Sequence, residues 1–523
     1  MNIAGRFPKP KTPSIDNRPH AVIIGAGVGG LTTGALLGSK GYRVTILDPL
    51  DEPGGRAYAY RQDGFTFDAG PTIVTAPWLF ENLWRDCGGE LREDVELRPN
   101  TPFYRVRFDD GTVFDYSGDR AAMEAQIGQI EPRDVAGYRS FLDESRRIYE
   151  VAFEQLAHKP FHSLLFTAKT LARLVRLGGY RSVYSVVSKH FRSDKLRTLF
   201  SFHPLLIGGN PFSATSFYCL IAHLEGKYGV HHAIGGTNAL VRGIASLVTR
   251  NGGLIRLNET VVEIKTEGRR ATGVRLASGE QIAADIVVSN ADPATTYGNL
   301  LKTYPRRRWT DAKLAKGHYS MSLFVWYFGT DRRYDDMLHH TMLFGPRYRG
   351  LLDDIFRTHR LAEDFSLYLH RPTASDASLA PEGCDSFYVL SPVPNLASGT
   401  DWAEAAERYR RKIEKRLEET VLPDLSRHIV TSRIATPMDF RDRLLSWQGA
   451  AFALEPKLFQ SAWFRPHNKS EELANLFLCG AGTHPGAGLP GVVSSARIVA
   501  DLVPDAATIM AETWEAQARR KSP

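Results

Sequence analysis

His20-Ala-Val-Ile-Ile-Gly25-Ala-Gly27-Val-Gly29-Gly30-Leu31-Thr-Thr-Gly34-Ala-Leu-Leu decides the fold. A short apolar strand runs into a Gly-x-Gly-x-x-Gly turn, and a helical pattern follows. Gly41-Tyr-Arg-Val-Thr-Ile-Leu is a second strand, closed by Asp48. Each part of this β–α–β unit has a physical task. Gly25 permits the tight turn, Gly27 lets the backbone approach a pyrophosphate, and Gly30 lets helix and strand pack closely. The helix start offers unpaired N–H groups and a positive dipole end to phosphates. Asp48 is placed to accept from a ribose diol and would repel a 2′-phosphate. The unit predicts a dinucleotide site.

Working outward, Gly54-Gly55-Arg56 follows the second strand, and Gly64-Phe-Thr-Phe-Asp68-Ala-Gly70-Pro71 follows that. A guanidinium here could fork onto a pyrophosphate through two charge-assisted hydrogen bonds. Residues 235–290 read as a glycine turn, a helix Asn238–Arg250, a strand Leu254–Leu257, and β-rich runs at Val261–Lys265, Thr272–Ala277 and Gln281–Asn290. Near the C-terminus, Leu476-Phe-Leu-Cys-Gly480-Ala-Gly482-Thr-His-Pro-Gly486-Ala-Gly488-Leu-Pro490-Gly491 is a second strand–glycine loop–helix. The helix is expected from Pro490, a residue suited to a first turn because it lacks an N–H. Gly491 and Val492 would then offer free amides at a positive helix end. His484 suits a structural role better than acid–base chemistry.

Composition bounds the rest. The chain has 523 residues, 43% hydrophobic and 24% charged, a globular balance that excludes wholesale disorder and fibrous folds. Net charge is +7. Four cysteines, Cys87, Cys219, Cys384 and Cys479, are too sparse for a disulfide framework, and a reducing compartment is expected. The basic, proline-punctuated residues 1–19 lack the apolar core of a secretory signal and read as a disordered tail. The uncharged stretches Ala21–Ser39 and Ala474–Ala496 are broken by glycine turns, so no membrane span is expected. A second nucleotide unit, a nucleophile elbow and a clustered metal motif are all absent from the sequence pattern. His158 and His162 are separated by Pro160, and His231-His232 and His339-His340 lack evident carboxylate companions, so no metal is expected.

Between Glu154 and Asp194 no acidic residue occurs, while seven basic ones do. Leu164, Ala168, Leu171 and Val175 share one helical face, and Lys169, Arg173 and Arg176 gather on the other. The pattern fits a helix lying in a membrane interface, and equally a surface helix with a solvated basic side. No recognised nucleic-acid module accompanies the charge.

Gly54-Gly-Arg-Ala-Tyr, Gly64-Phe-Thr-Phe-Asp-Ala-Gly-Pro, Ser201-Phe-His-Pro-Leu-Leu-Ile-Gly-Gly-Asn-Pro-Phe, Gln460-Ser-Ala-Trp-Phe-Arg-Pro-His-Asn and Asn475–Ser495 together resemble the bacterial-type phytoene desaturases, carotenoid-biosynthetic flavoenzymes. The resemblance runs from about residue 20 to 503. It implies an α/β fold: a Rossmann-like FAD-binding domain of the amine-oxidase type (20–100, 225–300, 470–505), interleaved with a mixed α+β substrate and membrane-binding domain (101–224, 301–469). Residues 506–523 would be a terminal helix or tail. It implies FAD held by Gly25, Gly27, Gly30, Asp48, Gly55, Arg56, Gly70, Pro71, Val261, Gly480, Gly482, Gly491 and Val492, with Val261 presenting its backbone to the adenine. It implies a C40 polyene substrate, oxygen or a quinone as acceptor, and a cytoplasmic enzyme attached peripherally to the membrane. Desaturating –CH₂–CH₂– removes a hydride and a proton, the hydride going to flavin N5. No catalytic side chain is implied. A related hydroxycarotenoid or C30 desaturase, an isomerase, and a non-redox prenyl-binding protein on the same fold remain as alternatives.

Overall fold

The computed structural model describes residues 17–511 except 162–166, 168, 171, 172 and 174. Most of the basic tail, the end of the 506–523 segment, and Leu164, Ala168 and Leu171 therefore lie outside the described residues.

The opening strand His20–Ile24 is buried at every position, as a central strand with both faces covered must be. It pairs in parallel with Arg43–Leu47 on one side and Ile286–Ser289 on the other. Leu254–Arg256 and Leu476–Leu478 complete a five-stranded sheet, also in parallel. The helices Val28–Ser39, Thr237–Arg250 and Leu489–Leu502 cover one face, where Leu31, Leu36, Val241, Leu247 and Val493 pack together. An antiparallel meander, Val261–Glu267, Arg270–Leu276 and Gln281–Ala283, covers the other face through Ile264, Val274 and Leu276.

The β-rich run Gln281–Asn290 contains two strands, Gln281–Ala283 and Ile286–Ser289. The chain leaves the meander at Ala283 and enters the parallel sheet at Ile286. Asp285, at the corner, accepts the His20 amide at 2.8 Å. Both halves favour β structure, so the change of sheet leaves no mark on local pattern.

A seven-stranded mixed sheet stands beside this unit. Its order is Ile429–Ala435, Ser322–Thr330, Asp385–Val393, Leu367–His370, His340–Leu343, Tyr104–Arg107, Val113–Tyr116. Ser322–Thr330 is buried along its whole length, which explains its almost unbroken apolar sequence.

Candidate functional site

The strands of the parallel sheet end together, and the residues just beyond them form one wall of a cavity of about 590 Å³. This is the crevice at the carboxyl ends of strands where open α/β sheets take their ligands. Gly25, Gly27, Asp48, Gly55, Arg56, Gly70, Pro71, Val261, Gly480, Gly491 and Val492 all line it. Gly30 and Gly482 do not. They sit behind the wall, where a Cβ would lie 2.0 Å from Gly25 O and 2.1 Å from Pro293 Cδ respectively. Their role is close packing, which for Gly30 is the task read from the motif.

Gly25 adopts φ 97°, a conformation glycine takes at little cost, and its amide donates to Leu47 O at 2.7 Å. The Gly54-Gly55 turn docks on this loop, Gly54 N donating to Ala26 O at 2.9 Å. Asp48 is buried. Its Oδ2 accepts from Ala26 N at 2.6 Å and its Oδ1 from Leu50 N at 2.9 Å. The carboxylate thus braces the glycine loop, and a carboxylate's remaining lone pairs suffice for a diol. Burial raises the Asp48 pKa, against the lowering effect of those two amides.

Two sequence readings need correction. Arg56 does not present a free fork: its Nε donates to Ala451 O at 2.8 Å and its Nη2 to Ser446 Oγ at 2.7 Å. The guanidinium clasps the 446–451 loop over the cavity, where burial lowers its pKa. At the other glycine loop the helix starts at Leu489, with Gly488 as its N-cap. That is one residue earlier than expected. Val492 consequently closes the first helical bond, donating to Gly488 O at 2.9 Å, so its amide is not free.

Sequence reasoning missed Asn290. Its amide donates to Ile24 O, and its side chain stands between the two glycine loops. A Cβ on Gly27 would meet Asn290 Nδ2 at 2.8 Å, and one on Gly29 or Gly480 would meet Asn290 Oδ1 at 2.5 or 2.6 Å. Glycine is required wherever the loops close on this amide. Arg443 was also missed. It lines the cavity, lies over the Tyr58 ring at 4.0 Å, and lowers the Asp48 pKa by its charge.

The rest of the cavity is apolar. Leu205, Leu206, Met321, Leu323, Met342 and Phe344 wall it from the seven-stranded sheet and the helical layer. His484 is buried in this wall, its ring edge-on to Phe161 at 4.7 Å. Burial brings its pKa down to about 4, with Arg465 and His467 adding to the effect. It is therefore neutral near pH 7. The pairing of a glycine-lined, amide-rich end with a long apolar end suits a dinucleotide beside a hydrocarbon. The observation that tests the fit is the cradle itself, which a single methyl on Gly27, Gly29 or Gly480 would close.

Comparison with known proteins agrees with this geometry. The family model described as flavin containing amine oxidoreductase matches residues 28–504. The neurosporene-forming phytoene desaturase of Cereibacter sphaeroides is 49% identical over 93% of this chain and 95% of its own. The lycopene-forming phytoene desaturase of Pantoea ananas is 48% identical over 92% and 98%. A solved putrescine oxidase variant superposes with a TM-score of 0.63 at 15% identity, covering 94% of this chain and 99% of its own, a likeness of fold.

Proposed function

The chain belongs to the flavin containing amine oxidoreductase family and, within it, to the bacterial-type phytoene desaturases, and from that premise we propose that it desaturates phytoene with FAD. The single observation that carries the reading is one cavity joining the glycine-lined sheet end to an apolar interior. When bound, FAD supplies the two-electron acceptor that converting –CH₂–CH₂– to –CH=CH– requires, with oxygen or a quinone accepting the electrons in turn.

The protein's own groups do the remaining work. The Gly25–Gly30 loop, braced by Asp48, holds the dinucleotide; Gly55, Gly70 and Pro71 shape the adjoining wall. Val261 lies at the adenine end. The Gly480–Gly491 loop and the Gly491 amide address the ring. The apolar wall selects by shape, since a hydrocarbon offers nothing to hydrogen-bond. It also excludes water from the reacting carbons. The parallel sheet, built from 20–100, 225–300 and 470–505, is the cofactor domain; 101–224 and 301–469 form the substrate domain. The test is FAD-loaded protein given phytoene in liposomes with oxygen or a quinone. Growth of long-wavelength polyene absorption is expected, and chromatography reads the product. Folded, FAD-loaded protein that leaves phytoene untouched would overturn the substrate while sparing the cofactor.

A C40 substrate must arrive from lipid. Among the described residues no helix is long and apolar enough to cross a membrane. Phe161, Thr167, Leu458, Ala462 and Phe464 line the cavity. Phe459, whose ring meets that of Phe464, is 74% exposed and Tyr180 61% exposed, and Lys169, Arg173 and Arg176, in the segment between Phe161 and Tyr180, are exposed too. Exposed aromatics next to cations suit an anionic bilayer surface. Replacing all three cations with glutamate is expected to cut partitioning onto anionic liposomes about a hundredfold, at about 1 kcal/mol for each cation lost. Co-sedimentation at rising salt measures it, and a triple variant that pellets like the parent would remove this segment from the membrane contact.

A further inference from the structure

The mechanism leaves unused a group of buried histidines. His339 and His340 enter the strand His340–Leu343, and His370 ends the neighbouring strand Leu367–His370, directly opposite His340 in register. Their ligand-capable nitrogens lie within 4.8 Å of one another. His232 comes from the short strand His231–Ala233, which leads into the helix Thr237–Arg250 of the parallel-sheet unit. Its ring centroid is 4.5 Å from that of His339. All four are buried.

Three of the rings are fastened through Nδ1. His232 Nδ1 meets Asn100 Oδ1 at 2.5 Å, His339 Nδ1 meets Ser375 Oγ at 2.8 Å, and His340 Nδ1 meets Tyr368 OH at 2.7 Å. Other ring nitrogens are not. His232 Nε2, His340 Nε2 and His370 Nδ1 are buried with no hydrogen-bond partner among the described residues. Two rings meet directly, His339 Nε2 and His370 Nε2 lying 3.1 Å apart. A buried polar atom without a partner is costly, and these lie on neighbouring rings. Water would satisfy one or two of them, but His232, His339 and His340 are each anchored through Nδ1, which leaves Nε2 for an ion as in metal-bound histidines, while His370 reaches His339 through its own Nε2.

We propose that His339, His340 and His370, with His232 as the fourth ligand, bind one borderline divalent cation of the zinc class. An all-imidazole set suits Zn²⁺, Co²⁺, Ni²⁺ or Cu²⁺ rather than Mg²⁺ or Ca²⁺. Ligand bonds of about 2.0–2.1 Å require the rings to draw inward around the ion. Asp376, whose Oδ2 accepts Gly235 N at 2.7 Å and whose charge acts on His232, supplies nearby negative charge. The ion would clip the strand carrying His232 to the seven-stranded sheet. It would also reach the cavity wall, because Tyr368 OH joins His340 to Thr72 Oγ1 at 2.6 Å and both Tyr368 and Thr72 line the cavity.

The test uses FAD-loaded protein, stripped with a chelator, freed of it, and titrated with Co²⁺. Tetrahedral cobalt absorbs to the red of the flavin, so the two signals separate. One equivalent is expected to saturate the band and Zn²⁺ to abolish it. His340→Ala and His370→Ala should lose the band, and His232→Phe should weaken binding at least about tenfold. X-ray absorption of the zinc-loaded parent, which needs no variant to fold, should show three or four imidazoles. Absence of stoichiometric binding, binding unchanged in the variants, or fewer than three imidazoles would overturn the site.

Discussion

Gly30→Ala is expected to bind FAD about a hundredfold more weakly, whereas Gly34→Ala, four residues along the same helix, keeps the parent's affinity. The two glycines look alike in sequence and face different atoms. A Cβ at Gly30 would lie 2.0 Å from Gly25 O and 3.2 Å from Gly25 C. Both belong to the backbone of the turn, and that turn is pinned by Gly25 N donating to Leu47 O. Neither side can yield without moving the loop that carries Gly27. Overpacking of this kind costs about 1–3 kcal/mol where side chains can adjust, and backbone adjusts less. A cost of about 3 kcal/mol passed to binding lowers FAD affinity about a hundredfold. A Cβ at Gly34 would meet Ile46 Cδ1 at 2.7 Å and Ile23 Cδ1 at 3.3 Å. These are terminal methyls that can swing aside, and alanine favours the helix by about 1 kcal/mol over glycine. Flavin-fluorescence titration of deflavinated protein compares them. Parent-like affinity in Gly30→Ala would mean that this loop does not hold the dinucleotide.

The same contrast shows what was legible in the sequence. The β–α–β unit from His20 to Asp48 is contiguous, so its spacing alone sets which glycine turns, which approaches and which packs. The second glycine loop was legible for the same reason, although the helix began one residue early and enclosed the Val492 amide. Arg56 lines the cavity, but its partners Ser446 and Ala451 lie far along the chain and no spacing rule announces them. Asn290 follows a strand like many asparagines; its meaning comes from three distant glycines converging on it. The histidine group is the extreme case. Its members sit on or beside three strands, and only the pairing of His340 with His370 and the approach of His232 bring them together. Side chains whose function depends on convergence of distant segments are invisible to local pattern, whereas backbone requirements such as Gly25 at φ 97° write themselves into the residue type.

Acid is expected to destabilise the parent relative to His484→Gln by about 3 kcal/mol between pH 7.5 and pH 4. In the unfolded chain the imidazole has a pKa of about 6.5. In the fold, burial first and the charges of Arg465 and His467 next bring it to about 4, with Leu156 O opposing. Above pH 6.5 the ring is neutral in both states and contributes nothing to pH dependence. As pH falls through 6.5 the unfolded chain takes a proton that the folded protein refuses, so stability is lost until about pH 4 and is constant below. Each tenfold difference in proton affinity between the two states corresponds to about 1.4 kcal/mol, which sets the total. Glutamine cannot take the proton, so its curve lacks this loss. The parent's own curve is a poor readout because Asp68 acts in the opposite sense. Burial raises its pKa to about 6 despite amides from Thr237 and Asn238, so its protonation adds stability as pH falls from 6. That contribution is common to both proteins and cancels in the difference. Urea midpoints of the FAD-saturated pair at pH 7.5, 5.5 and 4 measure it. A neutral ring at pH 7 also means that turnover between pH 6 and 8 should carry no inflection from His484. If the two stability curves run parallel from pH 7.5 to 4, the ring protonates freely in the fold, and His484 does not stand in a dry wall of the cavity.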